Sequence, residues 1–404
     1  MMKMTKVVIP VFLFGFLGLF IFSCSNGSGG GSGDDSYYAP ATPSSSTGNS
    51  SNNGDNGEKN EDTGDDTEEI PTNYMDSPYI LKAGTDGSAG TEATYVLFGE
   101  WPQTVKAQDV EITKLIDQDK HLYLGSDGYK YFKMVSDNAR NLPSNFSDGS
   151  IIEDKREYYF KVEPIKWHVV TNNYNETGNA LLLSEKHLVS NIPYNPTYKY
   201  FVDYSSNGIN YKVLRSYGND KDIYPSDYEY SFVRAVLNGL SYISHFENQE
   251  IDSYKVASVE IKFKDNGFLQ NAFSLTGQNL IETTYVKNDS SSVPDFSFGE
   301  ESKFMTCNNT NDKIFVLSYM EIQLLKIKVL RLKSDLVSAL YPDGSRMDIN
   351  YIAGMITRSV NSSTEITKNG NRVKNYHYWI PTYCGIPLNT TSCVICPALT
   401  IKLD

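Results

Sequence analysis

From residue 78 onward, short segments of alternating apolar and polar residues recur along the chain, and each predicts a β-strand. One segment is instead a continuous apolar run, which is typical of a buried strand. The alternating pattern also closes the chain. The strand-like segments are 95–98, 165–170, 180–183 (the apolar run), 314–317 and 398–403.

Helical signals are fewer. Ser226 and Glu229 have the spacing of a capping box and precede a one-sided apolar pattern over residues 233–240. A second capping box, Ser318 with Glu321, follows the strand-like segment 314–317. Dispersed strands with few helices predict an α+β fold, a single mixed domain over residues 78–404.

The first 24 residues have a different pattern. Lys3 and Lys6 lead into sixteen residues, 7–22, that have no charged or polar side chain. A basic start, an apolar run and a small residue, Ser23, predict an export signal peptide over residues 1–24. The run is shorter than the roughly 20 residues of a membrane-spanning helix.

Cys24 follows this apolar run, and the amino-terminal end resembles a bacterial lipoprotein signal. The resemblance implies that the Cys24 thiol takes a diacylglyceryl group and that its new amino terminus is acylated, for example with palmitate. Two or more acyl chains hold a protein stably on a membrane. We therefore expect a lipid-anchored protein of the bacterial cell envelope, at the outer membrane or cell surface. A signal-anchor helix with an incidental cysteine is the alternative.

Residues 25–77 form a region rich in Ser, Gly, Asn and Asp that has almost no large apolar side chain. Such a composition does not bury enough surface to offset its ordering entropy, so we expect a disordered linker. As a flexible chain it reaches about 40 Å on average. The linker holds eleven acidic residues and one basic residue, and its acids should extend it further.

The charge of the body excludes one class of partner. The chain has a net charge of −13, and most of it lies in the linker, which leaves the body nearly balanced. Because phosphate binding needs a basic surface, nucleic acid is not an expected partner.

Four cysteines remain after Cys24, an even number in a protein that we expect to be exported. They are candidates for at least one disulfide, although four cysteines allow three pairings and buried thiols are the alternative. Two of them have the Cys-x-x-Cys spacing of zinc and redox sites, but no second ligand pair accompanies them. We therefore expect no metal and no cofactor. The four are Cys307, Cys384, Cys393 and Cys396.

Tyrosine is abundant, with 29 in the chain, and its rigid apolar ring with a polar tip suits recognition surfaces. Core packing is the alternative, because alternate residues of a strand point to opposite faces. Arg234, in the predicted helix, fits a buried structural ion pair better than a ligand contact. The candidate ligand-binding residues come from the two densest aromatic clusters: Tyr198, Tyr200, Phe201, Tyr376 and Tyr378.

Seven segments, in order, resemble a bacterial domain family of unknown function found in spirochaete and Gram-positive surface proteins. A stretch of about fifty residues, 104–156, is inserted after the first segment. The segments are Phe98-Gly99-Glu100-Trp101-Pro102-Gln103, Pro164-Ile165-Lys166-Trp167, Leu181-Leu182-Leu183-Ser184-Glu185, Val233-Arg234-Ala235-Val236-Leu237-Asn238, Phe315-Val316-Leu317-Ser318-Tyr319-Met320-Glu321, Tyr378-Trp379-Ile380-Pro381-Thr382 and Ile395-Cys396-Pro397-Ala398-Leu399.

Three segments depart from the family pattern. The helix lacks the tryptophan of Leu-Arg-x-Trp-Leu-Asn, and the segment at Tyr378 lacks the arginine of Tyr-Trp-Leu-Arg-Ser-Pro. Cys396 stands where the closing Val-Arg-Pro-Ala-Leu has arginine. This chain lacks those two arginines, so any ion pairs that they make in the relatives are in doubt for this chain.

The ending of that family is similar to the C-type-lectin-like fold in its formylglycine-generating-enzyme variety. The resemblance implies a ligand-binding surface, whose partner is an unknown protein or a glycan. The arginine-rich motif and the cysteine spacing of that enzyme are missing here, so we expect a non-catalytic binding or adhesion domain with no catalytic residues. The alternatives are a formylglycine-type or metal-dependent periplasmic enzyme, and a structural envelope component.

Overall fold

The computed structural model places the folded body within one compact unit, Thr67–Asp404. The residues that it describes are 73–81, 94–136, 145–194, 201–203, 211–213, 216–217, 221–222, 228–243, 250–256, 259–288, 308–327, 332–340, 356–368, 371–380, 383–387 and 394–403. The predicted signal peptide, which includes Cys24, and most of the predicted linker lie outside these ranges.

The strands are short, apart from a few long ones in two sheets. They are β1 Tyr79–Leu81, β2 Tyr95–Val105, β3 Ile112–Asp117, β4 Leu122–Gly125, β5 Lys130–Val135, β6 Glu157–Thr171, β7 Ala180–Ser184, β8 Lys186–His187, β9 Val189–Ser190, β10 Phe201–Asp203, β11 Tyr211–Val213, β12 Ser216–Tyr217, β13 Lys221–Asp222, β14 Tyr242–Ile243, β15 Glu250–Ile251, β16 Ser253–Val256, β17 Val259–Lys262, β18 Thr284–Val286, β19 Thr310–Asp312, β20 Leu332–Lys333, β21 Val360–Lys368, β22 Asn371–Ile380, β23 Tyr383–Pro387, β24 Val394–Ile395 and β25 Ala398–Ile401.

Five short α-helices and two 3₁₀ turns accompany these strands in the described parts of the chain. None of the described helices is both long and apolar enough to cross a bilayer. The fold is mixed and mostly sheet, in agreement with the α+β prediction. The helices are α1 Phe232–Asn238, α2 Phe268–Ala272, α3 Leu275–Leu280, α4 Tyr319–Leu324 and α5 Asp335–Leu340, and the 3₁₀ turns are Tyr174–Glu176 and Tyr228–Tyr230.

The largest sheet is built around the 15-residue strand β6. Its order is β1-β2-β6-β5-β4-β3, and β7 pairs with both β6 and β25. All of these pairings are antiparallel. The predicted strands at 95–98, 165–170, 180–183 and the closing segment are confirmed as β2, β6, β7 and β25.

The sheet divides along one edge of β6. Strand β5 pairs with residues 157–161 of β6, and β7 pairs with residues 167–171. The stretch between them contains Pro164, which has no N–H to offer a strand on that edge. The edge of β6 therefore offers fewer backbone N–H donors at this point, and β5 and β7 pair with separate parts of the strand.

Aromatic side chains fill the core next to this sheet. The Trp167 indole donates to the carbonyl oxygen of Phe98 at 2.7 Å, and the rings of Phe98 and Phe273 lie 4.8 Å apart. Gly99 has φ of +76°, and a Cβ there would lie 2.6 Å from a ring carbon of Phe273. The turn in β2 at Gly99 therefore requires glycine for both its backbone angle and its close contact.

The inserted segment 104–156 extends the large sheet. Strands β3, β4 and β5 form a meander whose last strand pairs with β6. Met134, Phe146 and Phe160 pack with Leu336 and Leu340 of α5 in a second apolar cluster. The predicted insertion therefore continues the sheet, and part of it packs against a helix from late in the chain.

Asp335 fastens this helix to the insertion. Its carboxylate accepts hydrogen bonds from the Val105 and Ser147 backbone N–H groups at 2.9 and 2.8 Å. The Ser147 hydroxyl donates a third bond at 2.8 Å. Because Asp335 is only 5% exposed, these three donors depend on its oxygens rather than on water.

Residues 73–77, which the sequence assigned to the linker, contact the body. The Tyr74 carbonyl accepts from the Gly99 N–H at 2.7 Å, and the Met75 carbonyl accepts from the Ser274 N–H at 3.1 Å. Contacts with the body therefore extend to residues within the predicted linker.

The beginning of α1 differs from the prediction. Its N-cap is Ser231, whose hydroxyl accepts from the Arg234 N–H at 3.1 Å, whereas the sequence pointed to Ser226. The 3₁₀ turn Tyr228–Tyr230 occupies the predicted first turn and delays the helix. The helix ends at Gly239 in a left-handed conformation.

The second predicted capping box is confirmed at the start of α4. The Ser318 hydroxyl accepts from the Glu321 N–H, and the Glu321 carboxylate accepts from the Ser318 N–H. The strand predicted at 314–317 is wrong as a strand: Phe315 forms only an isolated bridge with Ala398. This segment is nevertheless fully buried, which explains its apolar pattern.

A second sheet has the order β11-β10-β22-β21, with β23 also on β22. It places Phe201, from the first predicted aromatic segment, on β10 beside β22, where it aligns with Lys374. Tyr376 and Tyr378 lie in β22. Only the backbone of these residues is described.

Candidate ligand-binding cleft

A cleft of about 300 Å³ lies where the large sheet divides. Its floor is the stretch of β6 that has neither β5 nor β7 beside it, and its walls come from β2 and from the chain after β7. We call this feature the fork cleft. It is lined by Leu97, Gln103, Glu163, Pro164, Ile165, Lys166, Glu185, Lys186 and Leu188.

Two side chains of β2 hold the walls of the fork cleft in place. Gln103, only 5% exposed, donates from its amide nitrogen toward the carbonyl oxygens of Glu163 and Pro164 at 3.3 and 3.0 Å. The Trp101 indole donates to the carbonyl oxygen of Leu188 at 2.9 Å. These bonds tie β2 to β6 and to the chain at Leu188, so the cleft is preformed.

Four charged side chains line the fork cleft, two of each sign. Lys166 and Glu185 form an ion pair at 3.3 Å. Glu163 accepts a hydrogen bond from the Thr104 hydroxyl at 2.6 Å, and Lys186 lies in β8. The formal charge of the lining is therefore zero, with both donors and acceptors available to a ligand.

Tyrosine–lysine pairs flank the fork cleft in both directions along β6. On one side, the Lys166 ammonium lies 4.1 Å from the ring centroid of Tyr95. On the other, the Lys161 ammonium lies 3.4 Å from the ring centroid of Tyr129, which is 52% exposed. Cation–π contacts of this kind hold long side chains in place and leave ring edges accessible.

A separate set of charged groups is buried in the core. Arg358, with a side chain 1% exposed, donates to Glu321 at 2.6 Å and to the carbonyl oxygen of Val316 at 2.6 Å. The Tyr174 hydroxyl donates to the same carboxylate. We call Arg358, Glu321 and Tyr174 the buried triad.

The buried triad is coupled electrostatically. Burial alone would raise the pKa of Glu321, but the charge and hydrogen bond of Arg358 hold it below its ordinary value. Burial, followed by the nearby Glu321 carboxylate, raises the pKa of Tyr174. Each charged group of the triad is therefore paired with another residue of the core, and the triad has a structural role.

A second ion pair joins α1 to the last residue of β19. Arg234 donates to Asp312 at 2.8 Å, as the sequence predicted for a structural role, and the Thr310 hydroxyl donates to the other carboxylate oxygen. Asn238 donates to the Ile314 carbonyl and accepts from the Ile314 N–H. A smaller cavity of about 200 Å³ borders Arg234.

Half of the candidate site residues from the sequence lie outside the described residues. This holds for Cys24, Tyr198, Tyr200, Cys307 and Cys393, while Phe201, Tyr376, Tyr378 and Cys384 are described in backbone only. The ligand-binding and lipidation assignments stay predictions.

Cys396 is the one candidate cysteine whose side chain is described. It is fully buried, and its thiol donates to the Ser184 carbonyl oxygen at 3.0 Å. The disulfide assignment also stays a prediction, and no group of three potential metal ligands occurs among the described residues.

The sequence did not single out the fork cleft, although a signal for it was present. Gln103 ends the first family-like segment, Lys166 lies in the second and Glu185 ends the third, and the three segments meet only in the fold. Arg358 was also missed, because no local pattern in the sequence pointed to its burial beside Glu321.

The protein is therefore an α+β domain, with more sheet than helix in its described parts, that has a preformed polar cleft. The model of a domain of unknown function, DUF6273, matches residues 177–403, and the chain belongs to this family. The match includes the wall of the cleft at Glu185 and Lys186, together with both buried ion pairs. No curated protein and no solved structure matches the chain.

Proposed function

We propose that the protein is a bacterial lipoprotein, anchored through lipid on Cys24, that presents a non-catalytic ligand-binding domain at the cell envelope. The observation that carries ligand binding is the fork cleft, a preformed concavity whose polar side chains converge from three separate segments. The observation that supports anchoring is the signal-like sequence that ends at Cys24.

The two groups of charged residues support this division of roles. The charged groups of the buried triad and of the Arg234–Asp312 pair are already paired within the chain itself. Breaking either pair would leave a buried charge uncompensated. The lining of the fork cleft is partly exposed, with side-chain exposures of 26% for Lys166 and 36% for Glu185. Groups that are positioned yet accessible are suited to contact a ligand.

We include two finer assignments in the proposal. The order of the family-like segments supports a C-type-lectin-like fold, and their occurrence in spirochaete surface proteins supports exposure at the outer membrane or cell surface. The acidic linker supports this placement, because a flexible chain of its length carries the domain clear of lipid headgroups.

Substitution of the lipidated residue tests the anchor. Cys24→Ser should abolish palmitate labelling and move the protein from the detergent phase to the aqueous phase. Cys307→Ser is the matched control and should keep both properties. Unchanged labelling and partitioning of Cys24→Ser would show that the anchor is wrong.

A ligand screen on the full-length mature protein in detergent tests the binding role. Dipeptides and neutral oligosaccharides are screened by thermal shift. We expect at least one to stabilise the wild-type protein, and a bulky Leu97→Trp substitution in the cleft wall should remove the effect. Recovery of that compound chemically unchanged is expected. A panel with no stabilising compound, or a compound converted to product, would contradict the proposal.

A further inference from the structure

The four charges of the fork cleft are not equivalent. Lys166 and Glu185 neutralise each other. Glu163 has a hydrogen bond from Thr104, and neither Glu163 nor Lys186 has an ion-pair partner within 4 Å among the described residues. The cleft therefore offers one carboxylate and one ammonium, of opposite sign, that are available for pairing.

This pattern selects among ligand charges. A polyanion would meet two carboxylates, and a polycation would meet two ammonium groups, so neither finds a complementary surface. A neutral molecule would leave Glu163 and Lys186 without counter-charges while displacing the water that solvates them. A ligand that has one cationic and one anionic group satisfies both residues.

The dimensions limit the size of such a ligand. A cavity of about 300 Å³ is at the small end of ligand pockets. An extended chain advances roughly 3.3–3.6 Å per residue, so the charged termini of a dipeptide are about 7 Å apart. The apolar part of the lining, from Leu97 and Pro164, can contact an aliphatic side chain.

We propose that the fork cleft binds a short peptide of dipeptide size with both termini free, its amino group on Glu163 and its carboxylate on Lys186. This inference rests on the proposed function, which makes the fork cleft the ligand site. Gln103 holds the backbone of β6 open beneath the ligand, and the Lys166–Glu185 pair forms the adjacent wall.

Calorimetric titration of the full-length mature protein in detergent with alanyl-leucine tests the inference. N-acetylation or C-terminal amidation of the dipeptide should each weaken binding about 10- to 100-fold, since each removes one charge-assisted contact. Glu163→Gln should weaken the free dipeptide similarly and lose sensitivity to N-acetylation. Lys186→Met should lose sensitivity to amidation.

The controls separate this inference from the proposed function. Lys114→Met, on the exposed strand β3, should bind as the wild type does, and thermal unfolding should show that each variant is folded. Equal affinity for free and blocked dipeptides, or failure of the wild type to bind any dipeptide, overturns the inference. If maltotriose binds instead and Leu97→Trp abolishes it, the proposed function stands. If nothing binds, both are wrong.

Discussion

Replacing Arg358 by methionine should destabilise the protein far more than replacing a surface arginine. Arg358 is 1% exposed at its side chain, and its removal leaves the Glu321 carboxylate without a counter-charge and the Val316 carbonyl without this donor. Breaking one partner of a buried ion pair costs about 3–5 kcal/mol. For a large domain, this corresponds to a decrease in Tm of roughly 6–12 °C.

Arg156→Met is the matched control for Arg358→Met. Arg156 also pairs with a glutamate, Glu153, but the two side chains are 55% and 59% exposed, so the loss should be at most about 0.5 kcal/mol.

Thermal and denaturant unfolding of the purified variants measure both effects. The double variant Arg358→Met, Glu321→Leu should recover part of the loss, because it removes the orphaned charge. If Arg358→Met and Arg156→Met lost equal stability, a structural role for the buried triad would be refuted.

Four further outcomes follow from the same structure. The pKa of Glu321 is held below its ordinary 4.5. The stability that the ionised carboxylate contributes is therefore complete above pH 4.5 and is lost as the pH falls through the lower pKa of the folded state. The stability of Glu321→Gln, measured by unfolding at several pH values, should lack this loss. Burial raises the pKa of Asp312, which makes its ionised form costly in the fold, so Asp312→Asn should lose less stability at pH 7 than Glu321→Gln in denaturant unfolding. Gly99→Ala should lower the free energy of unfolding by about 1–3 kcal/mol in the same assay, because the new methyl group would overlap Phe273 on a left-handed backbone. Gly149→Ala is the control: its φ is similar but the space around it is open, so it should lose less stability. Equal losses would contradict the role of the overlap. Asp335→Ala should release the insertion, and hydrogen exchange should accelerate across 104–156 while α1 stays protected; uniform acceleration would show that Asp335 acts on the whole fold.

Local signals in the sequence were sufficient for several elements. The strands β2, β6, β7 and β25 follow from alternation or from continuous apolar runs, and the start of α4 follows from Ser318 and Glu321. These features depend on residues within a few positions of each other, so the chain specifies them without reference to the rest of the fold.

Other features had local signals that packing overrode. The segment 314–317 has a strand-like pattern, yet it is held by the side chains of Asn238 and Arg358 and by a single bridge at Phe315. At α1 the capping position moved to Ser231, because a 3₁₀ turn precedes the helix. Burial explains both apolar patterns, but the hydrogen-bond partners of residues 314–317 come from elsewhere in the chain.

The sequence alone indicated an export signal with a cysteine after it, an acidic linker, a body of nearly balanced charge and a mixed fold with many strands. Tertiary structure alone decided where the chemistry lies. Gln103, Pro164 and Glu185 are far apart in the chain and form a cleft only because β5 and β7 leave part of β6 uncovered. Likewise, Arg358 meets Glu321 across 37 positions. Strand pairing and side-chain burial bring distant residues together. The local sequence of one segment does not specify which distant segment will pack beside it.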